Sequence, residues 1–86
     1  MNIYVGNLDY KVDEKDLEGL FEDYGTVDSS KVITDKFTGR SKGFGFVTME
    51  KREEAKKAME ELNGVTFENR VITVNEARPR KENYKR

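Results

Sequence analysis

KGFGFVTM, residues 42–49, alternates in a way that burial alone does not explain. Successive side chains of a strand point to opposite faces of its sheet. One face of this stretch carries Lys42, Phe44, Phe46 and Thr48; the other carries Gly43, Gly45, Val47 and Met49. If Val47 and Met49 pack into a core, two phenylalanine rings face water beside a lysine. Proteins avoid exposing that much apolar surface unless the surface binds something. Flat rings next to a cation suit a partner with flat bases and a phosphate backbone. Reversed faces would bury Lys42 and expose Val47 and Met49, and burial of an unpaired lysine is costly.

About forty residues earlier, IYVGNL, residues 3–8, has the same character. Ile3 and Val5 share one face and Tyr4 and Gly6 the other, so a buried Ile3 and Val5 leave Tyr4 exposed. Asn7 stands where the strand should give way to a turn. Many first strands read this way, and the hexamer gains weight from its pairing with the octamer.

Together these stretches resemble the two strand signatures of the RNA recognition motif (RRM) family. Its octamer runs Lys or Arg, Gly, aromatic, Gly or Ala, aromatic, Val, and ends in an aromatic. Residues 42–47, KGFGFV, match it position by position, and IYVGNL matches the hexamer throughout. Met49 departs from the closing aromatic. That position points to the core, where a flexible methionine fills space without touching the other face. The resemblance covers residues 2–78 and extends to the small stand-alone RRM proteins of bacteria and to glycine-rich RNA-binding proteins, although no glycine-rich tail follows here.

The order of elements agrees. Residues 2–6 read as a strand. Residues 13–24 read as a helix with Asp13 as N-cap, an apolar stripe of Leu17, Leu20, Phe21 and Tyr24, and Gly25 as its stop. Gly19 interrupts that helix at a cost of about 1 kcal/mol relative to Ala, with no local reason. Residues 29–34 form a second strand, residues 35–41 a turn-rich loop and residues 42–49 the third strand. Residues 52–62 form a second helix with Ala55, Ala58, Met59 and Leu62 on one face. Its N-cap, Lys51, is poor and opposes the helix dipole. Thr66 and Phe67 read as a short extended piece with Phe67 buried, and Asn69 suits a left-handed turn position. Residues 70–76 complete the set, with Ile72 and Val74 inward and Thr73 and Asn75 outward. The expected fold is α+β, a ferredoxin-like β-α-β-β-α-β sandwich whose four-stranded antiparallel sheet carries two helices on one face. The other face stays open. Residues 1–78 are expected to form the domain, and residues 79–86 a basic tail, disordered when free.

Composition narrows the chemistry. Eighty-six residues bury one modest core. The chain has no Cys and no His, which removes thiol chemistry, disulfides and the commonest metal ligands. No Gly-rich phosphate loop or paired-carboxylate motif appears, so an enzyme on the same fold, such as an acylphosphatase-like hydrolase, is not expected. Neither cofactor, metal nor small-molecule substrate is implied. No apolar run approaches a membrane span and no targeting segment precedes the first strand, which points to a cytoplasmic chain.

The net charge of −1 looks unsuited to a polyanion. Its distribution is more telling. Residues 13–24 hold six acids and one base, Lys15; residues 31–42 hold Lys31, Lys36, Arg40 and Lys42 against Asp35 alone. The last nine residues hold five bases against Glu82, so the acids lie on the helices and the cations on strands, loop and tail.

The resemblance implies roles. Tyr4 and Phe46 would each stack on a base, Phe44 would pack across sugars, and Lys42 would meet a phosphate. Base identity would be read around Asn75, Glu76, Ala77 (through its backbone) and Arg78, with Lys31 and Ile33 bordering the site. Phe37 either stacks on a further base or partner or folds down onto its own loop. Tyr84, among the bases of PRKENYKR, could close over bound RNA. The expected partner is single-stranded RNA bound by a monomer. Single-stranded DNA competes, because stacking ignores the sugar. A protein-interaction module is the other class, though such domains often lack the exposed aromatics.

Overall fold

The computed structural model describes residues 1–77. Alternation along Asn2–Gly6 (β1) buries Ile3 and Val5 completely. The chain then turns at Asn7, whose φ of 59° is left-handed, and enters helix α1, Glu14–Glu22. Asp13 caps it in a reciprocal box. The Asp16 N–H donates to Asp13 Oδ1 at 2.9 Å and the Asp13 N–H to Asp16 Oδ2 at 3.2 Å. Leu17 and Phe21 of the predicted stripe are buried, and Leu20 and Tyr24 pack against the core from its margin. The helix ends before Tyr24, and β2, Val27–Thr34, starts earlier than expected. β3, Ser41–Met49, and α2, Arg52–Leu62, follow.

α2 has no side-chain cap, as Lys51 predicts; Glu53 and Glu54 in its first turn answer the dipole instead. Tertiary bonds anchor both ends. Glu54 Oε1 accepts from the Thr26 N–H at 3.3 Å, and Asn63 Oδ1 accepts from the Val74 N–H at 2.9 Å.

The last strand differs from expectation. Residues 70–76 do not form one strand. Arg70–Val71 (β5) pairs with Thr66–Phe67 (β4) in a separate two-stranded ribbon, and only Thr73–Glu76 (β6) joins the main sheet. Ile72 interrupts the run because its N–H donates back to Val65 O at 3.0 Å. The ribbon turns through Glu68 and Asn69, with φ of 51° and 70°, so two left-handed residues stand where one was expected. Phe67 is half-buried at the core margin rather than buried.

The main sheet is antiparallel, in the order β2-β3-β1-β6. α1 and α2 cover one face. Ile3, Val5, Val47, Met49, Ile72 and Val74 meet Leu17, Phe21, Ala55, Ala58 and Leu62 there, and no charged or polar residue among those described is buried. The opposite face has no covering layer among the described residues. No helix among the described residues is long and apolar enough to cross a membrane.

Candidate nucleic-acid interface

Antiparallel register sets Lys31, Phe46, Tyr4 and Asn75 in one row across the open face. Lys31 lies opposite Phe46, Phe46 opposite Tyr4, and Tyr4 opposite Asn75. Phe44 stands one step along, opposite Gly6. The three rings form a close cluster. Tyr4 lies 6.0 Å from Phe44 and 5.9 Å from Phe46, and the two phenylalanines are 6.2 Å apart and perpendicular. These tilted and edge-to-face contacts suit the ring quadrupoles. Phe46 remains 36% exposed and Tyr4 and Phe44 are half-buried, while Val47 and Met49 are fully buried. The face assignment drawn from the octamer therefore holds.

Two signature glycines shape this surface. The Tyr4 ring lies along its own strand over Gly6, so close that a methyl there would come 2.9 Å from two ring carbons. Gly45, on the helix side, backs onto β2, where a methyl would run into the Lys31 carbonyl oxygen. Bare Cα atoms thus let Tyr4 lie flat and let β2 close on β3.

Lys42 is exposed and borders a depression with Tyr4 and Phe44. Ile33 is half-buried on the edge strand, where the β2–β3 register shifts. Glu76 does not join the row. It lies opposite Ile3, whose side chain is in the core, so strand alternation sets Glu76 on the helix side. The Ala77 N–H donates to Asn2 O at 2.9 Å, which leaves its carbonyl as the group for any backbone contact. Arg78 and the tail, Tyr84 included, lie outside the described residues.

The β2–β3 loop is held by Asp35, whose Oδ1 accepts from the Phe37 and Thr38 N–H groups at 2.7 and 3.2 Å. Those two bonds hold its carboxyl below the ordinary carboxylate range, aided by the charge of Lys42. Phe37 is 97% exposed, so it does not fold onto its loop.

Two residues beside the rings escaped sequence reasoning. Tyr10 follows the first strand and is exposed; turn formers at Asn7 and Asp9 were the available signal for an aromatic held on a loop. Arg70 borders the same depression as Tyr4, Lys42 and Phe44. No local pattern marks it, because the β4–β5 ribbon brings it there. Its Nη2 donates to Asn7 Oδ1 at 2.9 Å, and Asn7 Nδ2 donates to Val71 O.

A two-layer α+β sandwich with aromatic rings on the sheet face opposite its helices is the class these features define. The profile of the RNA recognition motif family matches residues 3–73, and the chain belongs to that family. It is similar to the chloroplastic 28 kDa ribonucleoprotein of Spinacia oleracea, 51% identical over 78 residues, or 91% of this chain. The chain spans only 34% of that relative's length. Among solved structures it is similar to RNA binding protein PG1, at 56% identity and a TM-score of 0.90, with 93% of this chain and 96% of that one covered. The SXL-lethal protein/RNA complex is similar at 31% identity and a TM-score of 0.85, covering 91% of this chain and 47% of that one.

Proposed function

We propose that this chain binds short single-stranded RNA on its open sheet face as a monomeric domain of residues 1–78, without catalysis. The cross-strand row of Lys31, Phe46, Tyr4 and Asn75, with Phe44 beside it, carries the proposal. Tyr4 and Phe46 each offer a face to a base. One stack is worth roughly 1–3 kcal/mol, so two supply about 2–6 of the roughly 8 kcal/mol of a micromolar complex. Phe44 packs on sugars between the stacked bases. Lys42 and Lys31 meet phosphates, which position the strand without reading it. Asn75, with both donor and acceptor groups, and the Ala77 carbonyl contact base edges. Membership of the family and the RNA complex formed by a similar protein support this reading.

An amide-resolved NMR titration with a mixed pool of short single-stranded RNA tests it. Shifts clustered at Tyr4, Lys42, Phe44, Phe46, Asn75 and Ala77 are expected. A folded spectrum with those amides unmoved would refute RNA binding at this face and favour a protein partner on the helices. Equal shifts with the matching DNA pool would show that no 2′-hydroxyl contact discriminates.

A further inference from the structure

Tyr10 lies outside both signature strands, yet it is 72% exposed and borders three depressions of the surface around it. Its loop is pinned at both ends. Leu8 and Val12, two residues to either side, are buried. The Leu8 N–H donates to Gly43 O at 2.8 Å, which stitches the loop to β3. Asp9 closes the turn: its Oδ1 accepts from the Lys11 N–H at 2.9 Å and its carbonyl from the Val12 N–H at 3.0 Å. So constrained a loop has little backbone freedom left to lose on binding. It lies beside the bare Cα of Gly43, where a methyl would come 3.9 Å from Tyr10 Cε1.

One depression is lined by Tyr4, Phe44 and Tyr10 together with Lys42 and Arg70. No acid lines it. The next depression, shared by Tyr10, Phe44 and Lys42, adds Arg40 and one acid, Asp35, whose carboxylate is turned onto two backbone N–H groups. Three rings and two cations lining one depression are the groups that a stacked base and its phosphate require.

We propose that Tyr10 is the platform of an additional nucleotide subsite beyond the sheet, stacking one RNA base while Lys42 and Arg70 take the adjoining phosphate. The proposal rests on the sheet-face function above. Its occupant is the next nucleotide of the same strand, because Tyr4 and Phe44 of the sheet site themselves line the depression. An uncharged apolar segment would leave both cations without a counter-charge.

Affinity as a function of RNA length tests the subsite. Competition anisotropy with randomised single-stranded RNAs of about three to eight nucleotides compares the full chain with Tyr10→Ala, Tyr10→Phe and Phe46→Ala. Tyr10→Ala is expected to lose about tenfold on the longer RNAs, the scale of one base stack, and much less on the shortest. Tyr10→Phe keeps the ring and should keep the affinity. An equal loss at every length would overturn the subsite, since Tyr10 would then only shape the sheet site. No loss at any length would overturn it too, leaving the sheet function intact provided Phe46→Ala weakens every length. A Tyr10→Phe variant as weak as Tyr10→Ala would assign the effect to the hydroxyl and refute stacking. If Phe46→Ala changes nothing, the sheet function itself falls.

Discussion

Removing the Phe46 ring tests the face assignment and the stacking mechanism together. The ring is 36% exposed, so roughly two-thirds of a surface of about 200 Å² is covered, largely by Tyr4, Phe44 and the sheet backbone. At about 25 cal/mol per Å², Phe46→Ala loses no more than about 3 kcal/mol, an upper bound because unfolded chains already bury some apolar area. A domain of this size holds roughly 4–12 kcal/mol, so the variant should stay folded at room temperature and melt lower by at most about 12–24 °C, at roughly 4–8 °C per kcal/mol. In the complex the same change removes one stack, a roughly 5- to 150-fold loss of affinity. Thermal denaturation by circular dichroism and RNA titration by fluorescence anisotropy read the two effects separately. Val47→Ala is the control from the opposite face. It costs about 2–3 kcal/mol of stability, because Val47 is fully buried, and leaves affinity per folded molecule unchanged. If Phe46→Ala unfolds the chain, or folds and binds as well as the parent, the stacking assignment is wrong.

Gly45→Ala should cost about 1–3 kcal/mol in chemical denaturation, because the new methyl meets the Lys31 carbonyl of the neighbouring strand and backbone must move. An unchanged midpoint would show that the β2–β3 approach is not tight. Gly19→Ala goes the other way. Gly19 is exposed on α1 and a methyl there meets nothing within 4 Å, so helix propensity should raise stability by about 0.5–1 kcal/mol; a loss would mean the helix needs glycine for some contact. Asp35 makes the β2–β3 loop acid-sensitive. Its carboxyl is held below the ordinary range by the Phe37 and Thr38 N–H groups. The stabilisation is present above the unfolded value and disappears as pH falls through the lower folded one. NMR shifts of those two amides should show an acid midpoint below the ordinary aspartate range, and a midpoint at or above it would refute the capping role.

The sequence alone determined which residues of each strand share a face. Period-two alternation in residues 3–8 and 42–49 separates Ile3, Val5, Val47 and Met49 from Tyr4, Phe44 and Phe46, and the structure agrees. Both helices were legible from the spacing of their apolar residues, and the poor cap at Lys51 from its charge. These features arise between neighbours along the chain, where periodicity and caps act. The alignment of Lys31, Phe46, Tyr4 and Asn75 into one row was not legible, because it depends on register between strands far apart in sequence. Tertiary pairing also split residues 70–76, because the Ile72 N–H turns back to Val65 and β5 pairs with β4. It set Glu76 opposite Ile3 and away from the open face. It brought Arg70 and Tyr10 beside the signature rings through the Asn7–Arg70 bond and the buried anchors Leu8 and Val12. Local pattern decides which face of a strand a side chain points to. Where that face sits among its neighbours depends on hydrogen bonds and packing between segments distant in the chain, which only the folded arrangement supplies.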